Sequence, residues 1–244
     1  MTTTQPAPEI VLYDLACTKN VCFSPVVWRI RLILNYKQIP YRTIFLEFPD
    51  IEPTLKGLGL PSNSQGKQKY TVPAIHHLPT NTHMMDSLPI AQFLESAYPD
   101  PPVPISTEHS SQIEAHIRAV AGPVSYSSVM PREILVLSPR SQEYFRRTRE
   151  AGLGGLKLED LLIDEEAVWE KAGARLRGVD ELLRASKGEG QFIGGTKPSL
   201  TDFFIAGSLQ STRMVDEGVF ERYMGFMELK GIYEACLPWI DRSD

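Results

Sequence analysis

The sequence has few cysteines and no long apolar segment, and each shortage excludes a class of protein. Its 244 residues include only three cysteines, Cys17, Cys22 and Cys236. Three cysteines do not form the disulfide framework of a small secreted domain, so we expect a reducing, cytoplasmic environment. No apolar run approaches the roughly 18 residues of a membrane span. The start, MTTTQPAPEI, lacks the basic and apolar regions of a signal peptide and is expected to form a loose tail.

Clustered basic charge and metal-ligand spacing are also missing. The 25 Lys and Arg residues are outnumbered by 30 Asp and Glu residues, and the net charge is −5. A chain of this charge with no basic stripe is not expected to bind nucleic acid. Cys17 and Cys22 form a C-x4-C pair without a second pair nearby. His76 and His77 are adjacent in a predicted strand and therefore point to opposite faces. We expect no membrane partner and no metal.

Alternating strand and helix signals fill the first hundred residues. The run IVLYD (10–14) predicts a strand. Apolar residues at helical spacing after Ser24 predict a helix whose polar face carries Arg29 and Arg31, and Pro40 closes that helix region. We predict further strands over 41–48, 71–77 and 82–86, and further helices after Asp50 and from Ser87. The resulting order is β-α-β-α-β-β-α.

The second half of the chain is predicted to be helical. A proline-dense segment, PDPPVP (99–104), acts as a stiff spacer and marks the domain boundary. Helical spacing follows it in four segments, the third with a break: 109–121, 141–150, 158–185 and 200–215. With 42% hydrophobic residues the chain can bury a normal core. We therefore predict an α/β domain over residues 1–100, a linker over 101–107 and an all-α domain over 108–244.

Two serine-containing motifs start helices in the α/β half. In CFSPVVWRIRLIL, Ser24 is an N-cap residue and Pro25 suits the first helical position. In MMDSLPIAQFL, Ser87 is a strong N-cap residue and Asp86 precedes it. A free amino-acid end needs an acceptor for its ammonium group and donors for its carboxylate. Asp86 supplies the acceptor, and the Ser87 hydroxyl with the N–H groups of the helix start supplies the donors.

Two further motifs carry plain structural interpretations. TVPAI contains Val72 and Pro73, a proline at the start of a strand. GGTKPSLTDFFIA contains Ser199 and Asp202 in the S-x-x-D pattern of a capping box ahead of an apolar helix. We assign this capping box a structural role.

The order and spacing of these motifs resemble those of a cytosolic glutathione transferase, over nearly the whole chain from Ile10 to Trp239. The stretch SPVVWRIRLILNYKQIPY, together with FPDIEP and YFRRTRE, resembles the fungal FuA class, and its first part also resembles the bacterial lignin β-etherases. The resemblance implies a thioredoxin-like domain that binds glutathione, followed by an all-α domain that contributes a hydrophobic acceptor site. It also implies a homodimer.

The resemblance assigns roles to the two motifs that precede the helical half. The family's proline at this place is cis, which implies that Pro73 is cis and that Val72 presents its backbone N–H and C=O to the tripeptide. Asp86 and Ser87 match the acidic-Ser pair with which the family holds the γ-glutamyl group. The glycine end of glutathione needs a cation, for which Lys56 and Lys69, on either side of the loop before Val72, are candidates.

Ser24 matches the serine that these enzymes use beside the glutathione sulfur. As a hydrogen-bond donor it would stabilise the thiolate, so the nucleophile is the sulfur of glutathione rather than an atom of the protein. Related classes use a cysteine at this helix start and form mixed disulfides, so Cys22 is the alternative to Ser24. FuA members often carry asparagine after the proline, whereas this chain has Val26, which puts any role for that amide in doubt.

The acceptor site is expected in the segment AGPVSYSSVMPREI. Two prolines would break a helix there and expose aromatic and thioether surface, which suits a flat apolar or phenolic ligand. Core packing is the alternative interpretation of the segment. The candidate substrate-binding residues are Phe23, Tyr126 and Met130.

Two classes of function follow. The first is glutathione transfer to, or removal from, hydrophobic or aromatic compounds, including etherase-like and deglutathionylating reactions, as in the detoxification of xenobiotics. The second is a ligandin-like protein that binds phenolic or terpenoid compounds with residual activity.

Overall fold

A four-stranded mixed sheet forms the first half of the chain in the computed structural model, which describes residues 7–64, 68–105, 107–187 and 189–242. Its elements follow the predicted order β-α-β-α-β-β-α, and the strands lie in the spatial order β2-β1-β3-β4. The bounds are β1 Ile10–Leu15, α1 Pro25–Tyr36, β2 Tyr41–Leu46, α2 Ile51–Gly57, β3 Ala74–His77, β4 Thr82–Met85 and α3 Ser87–Ala97, with a 3-10 turn at Phe48–Asp50.

The strand register brings distant segments to one end of the sheet. β1 pairs in parallel with β2 and antiparallel with β3, with Tyr13 opposite Ala74. β3 is antiparallel to β4, with Ala74 opposite Met85. The last residues of β1 and β4 and the first residue of β3 therefore lie at the same end. Because α1 is the crossover between parallel strands β1 and β2, its first turn also begins at that end.

Helix α1 is buried from Val27 to Asn35, so the arginines of its predicted polar face are shielded from solvent. Arg29 and Arg31 are only 7% and 6% exposed. α1 lies between the sheet and a helix of the second half, so its charged residues meet partners instead of water. The Arg29 Nη2 atom is 2.7 Å from a Glu114 carboxylate oxygen, and the Arg31 Nε atom is 3.2 Å from Asp14.

The second half is helical, as predicted. Its α-helices are α4 Glu108–Val124, α5 Met130–Glu133, α6 Pro139–Gly152, α7 Glu165–Lys187, α8 Leu200–Val215, α9 Glu217–Tyr223 and α10 Met227–Ile240. A π-helical segment covers Ser125–Val129, and 3-10 turns cover Ile134–Val136 and Leu158–Leu162. Within the part of the chain that the structure describes, none of these helices combines the length and the apolar character needed to cross a bilayer.

Helices α9 and α10 are missing from the sequence prediction, and the segment predicted over 158–185 divides into a 3-10 turn and α7. Pro238 lies inside α10, where proline normally argues against a helix. Parts of three predicted irregular segments fall on residues 1–6, 65–67 and 106, which lie outside the described residues.

Helix α8 packs against α1 at a glycine and begins with a capping box. A Cβ atom on Gly207 would lie 3.0 Å from the Trp28 Cβ and 3.3 Å from the Pro25 carbonyl oxygen, so glycine permits the close approach of α8 to α1. The predicted capping box is confirmed: the Ser199 hydroxyl donates to Asp202 at 2.6 Å, and the Ser199 oxygen accepts from the Asp202 N–H. Asp202 also accepts from the Ile193 N–H at 2.9 Å.

Candidate active site at the end of the sheet and the adjoining cavity

Val72 and Pro73 lie immediately before β3, at the end of the sheet where α1 begins. The Val72–Pro73 peptide bond is cis, as the resemblance implied. Val72 precedes the ladder, and neither its N–H nor its C=O bonds to another described residue. The Pro73 carbonyl oxygen accepts a hydrogen bond from the Asp86 N–H at 3.2 Å, which ties this segment to the start of α3. An extended peptide could therefore use both backbone groups of Val72.

Asp86 is the N-cap residue of α3, and Ser87 is the first helical residue. The prediction that Ser87 is the N-cap is therefore wrong by one position. Asp86 has φ 74° and ψ 130°, a conformation outside the helix, so the helix begins only at the next residue. Its side chain does not cap α3. Instead the carboxylate accepts hydrogen bonds from the Thr71 hydroxyl at 3.1 Å and from the Asn63 amide at 3.4 Å.

Ser24 is the N-cap residue of α1, and Pro25 occupies the first turn as predicted. The side chain of Ser24 does not cap the helix, although the residue occupies the capping position. Its hydroxyl makes no hydrogen bond to any other described residue, and Ser24 is 3% exposed. The preceding loop is fixed in place, because the Ser211 hydroxyl donates to the Phe23 carbonyl at 2.6 Å and the Trp28 indole to the Cys22 carbonyl at 3.0 Å.

Cys22 lies in a buried polar cluster beneath the start of α1. It is 3% exposed, and its thiol donates a hydrogen bond of 3.7 Å to the Ser24 carbonyl. Burial, followed by the negative charge of Asp14, raises the pKa of this thiol well above its ordinary value. Arg31 pairs with Asp14 and acts in the opposite direction. The environment of Cys22 therefore favours the neutral thiol, which is a poor nucleophile.

Lys56 and Lys69 lie on the surface, on either side of the loop before Val72. Both side chains are exposed, and neither forms an ion pair with another described residue. Lys56 is in the last turn of α2. Phe23 has a different environment, since it is 2% exposed and belongs to the hydrophobic core.

A cavity of about 530 Å³ adjoins the start of α1. Its walls come mainly from α1, from α4 through α5, and from α8, with further residues from α6, α7, α9 and α10; Tyr126 and Met130 are among the lining residues as predicted. Phe23 is not a lining residue; Pro25 and Val26, which follow it closely, are. Tyr126 is 49% exposed. The structure thus places two of the three predicted substrate-binding residues at one cavity, and the third in the hydrophobic core.

The segment after Pro123 has the interrupted geometry that the sequence predicted. The π-helical turn Ser125–Val129 replaces regular α-helix, and inserted residues of this kind often mark functional sites. The inner side of the turn is anchored, because the Trp169 indole donates to the Ser128 hydroxyl at 3.0 Å. Tyr126 is therefore presented from a fixed backbone.

Charged side chains interrupt the apolar cavity wall at four places: Arg29, Arg118, Glu133 and Arg149. Arg118 lies over the Phe204 ring at 4.2 Å and pairs with Glu114, which also pairs with Arg29. Burial raises the pKa of Glu133 to about 7, although the charge of Arg149 lowers it. The walls can therefore surround an aromatic ring while presenting a small number of polar groups.

Several residues at these two sites were not predicted from the sequence. Thr71 and Asn63 contact Asp86, but a polar residue in a Gly, Ser and Asn loop carries no distinguishing pattern. Phe204 belongs to an ordinary apolar helix pattern. Glu133 had a signal, since it is a charged residue inside the segment SSVMPREILV that is otherwise largely apolar. No group of three or more His, Cys, Asp or Glu residues within the described ranges is arranged to hold a metal ion.

Comparisons with known proteins match both halves of the chain. A family model described as the glutathione S-transferase N-terminal domain matches residues 23–97, and one described as the C-terminal domain matches residues 111–231. The glutathione S-transferase-like protein ustS of Aspergillus flavus is 33% identical, with 99% of this chain and 94% of the relative covered.

Two solved structures of fungal glutathione transferases share the fold. Glutathione S-transferase CsGST63524 of Ceriporiopsis subvermispora, crystallised in complex with glutathione, has a TM-score of 0.84 and 31% identity, covering 96% of this chain and 99% of its own. GSTFuA3 of Phanerochaete chrysosporium has a TM-score of 0.81 and 28% identity, covering 98% and 99%. The chain therefore belongs to the glutathione S-transferase family and is a glutathione transferase with glutathione as its co-substrate.

Proposed function

We propose that this chain is a serine-type glutathione transferase, in which Ser24 stabilises the thiolate of glutathione for reaction with hydrophobic or aromatic compounds. The observation that carries the proposal is the Ser24 hydroxyl, which stands at the start of α1 without capping the helix. A hydroxyl that is not engaged by the backbone remains available to donate to a sulfur atom. The aryl or apolar compound would occupy the cavity beside Pro25 and Val26.

The chemical task of the site is to ionise a thiol. An ordinary cysteine thiol has a pKa of about 8.5, so little thiolate exists at neutral pH. A hydrogen bond from Ser24 to the charged sulfur contributes about 1.5–3 kcal/mol, which corresponds to a pKa lowered by about one to two units. The N–H groups at the start of α1 favour negative charge in the same place. Ser24 keeps its proton throughout and acts as a donor.

The remaining polar groups account for the other parts of the tripeptide. Val72 offers backbone groups that bond to no other described residue and can pair with an extended chain. The Asp86 carboxylate is held by Thr71 and by Asn63 and would accept from the γ-glutamyl ammonium group. The Ser87 hydroxyl and the first N–H groups of α3 would donate to the γ-glutamyl carboxylate.

Lys56 and Lys69 are proposed for the carboxylate at the glycine end of the tripeptide. Neither lysine is committed to an ion pair with another described residue. A cation on this side would complete the recognition of both charged ends of glutathione, since the γ-glutamyl end is assigned to Asp86 and Ser87.

A cysteine-type mechanism through Cys22 receives less support. A thiol that attacks a disulfide must first ionise, and both the burial of Cys22 and the neighbouring Asp14 oppose ionisation. Its 3.7 Å hydrogen bond points toward the Ser24 carbonyl within the protein. We assign Cys22 to the support of the loop that precedes α1.

Ser24→Ala and Cys22→Ala test the assignment together. We expect the Ser24→Ala enzyme to lose about 10- to 100-fold in kcat/KM toward an aromatic electrophile such as 1-chloro-2,4-dinitrobenzene, since it lacks a charge-assisted hydrogen bond. We expect the Cys22→Ala enzyme to retain turnover within about threefold. Unchanged turnover in Ser24→Ala, with loss of thiol transfer from a glutathione mixed disulfide in Cys22→Ala, would establish the cysteine mechanism instead.

A second candidate function is favoured by the cavity itself. At about 530 Å³ it is large enough for a phenolic or terpenoid compound, so the chain could act chiefly as a binding protein. Calorimetry with a phenolic panel, with and without glutathione, separates the two functions. Binding at micromolar or tighter affinity with negligible turnover across a panel of acceptors would favour transport over catalysis.

The etherase-like and deglutathionylating reactions remain proposals for the reaction type, because the same thiolate could attack an aryl ether or a glutathione conjugate. The homodimer, the cytoplasmic location and the domain limits 1–100, 101–107 and 108–244 stay predictions. Size-exclusion chromatography with light scattering would determine the number of subunits.

A further inference from the structure

Glu133 is the one carboxylate among the described residues that line the cavity. It is the last residue of α5, the short helix that directly follows the π-helical segment, and its side chain is half-buried. Most of the acidic side chains around it are engaged elsewhere. Glu165 and Asp216 pair with Arg132, and Glu159 pairs with Arg146. Glu133 makes neither a hydrogen bond nor an ion pair with any described residue.

The charges on the elements packed around α5 do not neutralise Glu133. Arg149 on α6 is the charged group that acts on it, and Arg149 lies over the Phe145 ring at 4.8 Å without an ion pair to Glu133. Across the cavity, Arg29 on α1 and Arg118 on α4 share Glu114. The other titratable groups nearby are Tyr126 in the π-helical segment, Tyr223 on α9, and Glu159 and Asp160 in the turn at Leu158–Leu162 that packs on α5.

A half-buried carboxyl group without a protein partner can be satisfied by its ligand. Burial raises the pKa of Glu133 to about 7, so a large fraction of the group is protonated at neutral pH. A protonated carboxyl group is a hydrogen-bond donor, whereas the ionised form can only accept. An apolar ligand that carries an acceptor oxygen would satisfy the donor and avoid burial of an unpaired polar group.

We propose that Glu133 is the specificity-determining residue of the acceptor cavity. Its protonated carboxyl group donates a hydrogen bond to the ligand and so selects neutral aromatic compounds with an acceptor oxygen, such as aryl ketones. The proposal rests on the proposed function in so far as the acceptor occupies this cavity. Cationic ligands are disfavoured because Arg29, Arg118 and Arg149 share the same walls. Anionic ligands find two of those arginines already paired with Glu114.

Binding of two isosteric probes tests the proposal without glutathione. The probes are 2-acetylnaphthalene and 2-isopropenylnaphthalene, which differ in a carbonyl oxygen against a methylene group, and neither titrates. Equilibrium dialysis would give their dissociation constants between pH 5.5 and 8.5 for the wild type, Glu133→Gln and Glu133→Ala. Glu143→Gln is the matched control, since Glu143 is exposed on α6 and does not line the cavity.

We expect the wild type to lose affinity for the ketone as the pH rises. With a pKa near 7 the protonated fraction falls about tenfold between pH 6 and pH 8, so the dissociation constant should rise by about the same factor. Glu133→Gln keeps an N–H donor and should bind the ketone with no dependence on pH. Glu133→Ala should bind it weakly at every pH, and the hydrocarbon should show no dependence on pH in any variant.

Three results would overturn the proposal: a ketone affinity in the wild type that does not change with pH, a pH dependence that survives in Glu133→Gln, or an equal dependence for the hydrocarbon. Thermal unfolding of each variant confirms that the fold is retained. These outcomes are separate from the role of Ser24, because a Ser24→Ala enzyme should retain the pH-dependent binding of the ketone even though its kcat/KM is reduced.

Discussion

The end of the sheet and the cavity next to it offer different kinds of groups to a ligand. At the end of the sheet, the groups available are the backbone of Val72, a carboxylate held by Thr71 and Asn63, and the start of α3. At the cavity, the walls are side chains of α1, α4 and α8 with a few charged residues among them. Backbone groups in fixed positions suit one invariant partner, whereas apolar side-chain walls tolerate many ligands of similar size.

Helix α1 is the element that both regions share. Its first residues line the cavity at Pro25 and Val26, and its N-cap residue, Ser24, directly precedes them. In the proposed function, this arrangement would place a thiolate between its own binding groups and the compound that it attacks. The two regions should therefore be separable by mutation on either side of α1, but not by mutation of Ser24.

Asp86→Asn should weaken glutathione binding without weakening aromatic binding, and we expect this to be the larger of the two effects. Asparagine tolerates the positive φ of 74° at this position, so the backbone should be retained. Loss of the negative charge removes a charge-assisted hydrogen bond worth about 1.5–3 kcal/mol, and we expect the dissociation constant for glutathione to rise about 10- to 100-fold. Isothermal titration calorimetry measures it.

The affinity of the Asp86→Asn variant for an apolar aromatic compound should stay within about twofold of the wild type. Asp164→Asn is the matched control, because Asp164 is exposed in the helical half. If the affinities for glutathione and for the aromatic compound both fell in Asp86→Asn, the two regions would not be separate sites.

Tyr126→Ala should have the opposite and smaller effect, weakening aromatic binding without weakening glutathione binding. Tyr126 is 49% exposed in the free protein, so its removal should barely change the free energy of unfolding. Loss of its ring from the cavity wall should weaken the binding of an aromatic compound by about 1 kcal/mol, or about fivefold. Glutathione affinity should not change, which calorimetry on the same samples would show.

Leu135→Ala is the comparison variant for Tyr126→Ala, since Leu135 lies nine residues later, is 72% exposed and does not line the cavity. An equal loss of aromatic binding in Leu135→Ala would mean that the effect comes from the backbone of this segment and not from the Tyr126 ring.

The difference between the regions also explains which parts of each could be predicted. The groups at the end of the sheet belong to short continuous motifs, so Val72, Pro73, Asp86 and Ser24 could be named from sequence. The position of the N-cap was wrong by one residue, because side-chain preference favours Ser87 while the backbone turn occurs at Asp86. Preference for a capping residue does not determine the φ angle of its neighbour.

The cavity could be predicted only where local sequence breaks a helix. The helix-breaking residues Pro123 and Pro131 led to the prediction of Tyr126 and Met130, and both of these line the cavity. Arg29 was assigned to a polar face of α1, and helical periodicity cannot show that a second helix will cover that face. The burial of Arg29 against Glu114 depends on packing between residues 85 positions apart. Long-range packing of this kind leaves no pattern in a single sequence.

The pKa of the glutathione thiol bound to the enzyme tests the role of Ser24 most directly. Thiolate absorbance near 240 nm, recorded against pH for the wild type, Ser24→Ala and Cys22→Ala, gives this pKa. We expect a value about one to two units below that of free glutathione in the wild type and in Cys22→Ala, and a value near that of free glutathione in Ser24→Ala. A pKa that stays low in Ser24→Ala would contradict the account.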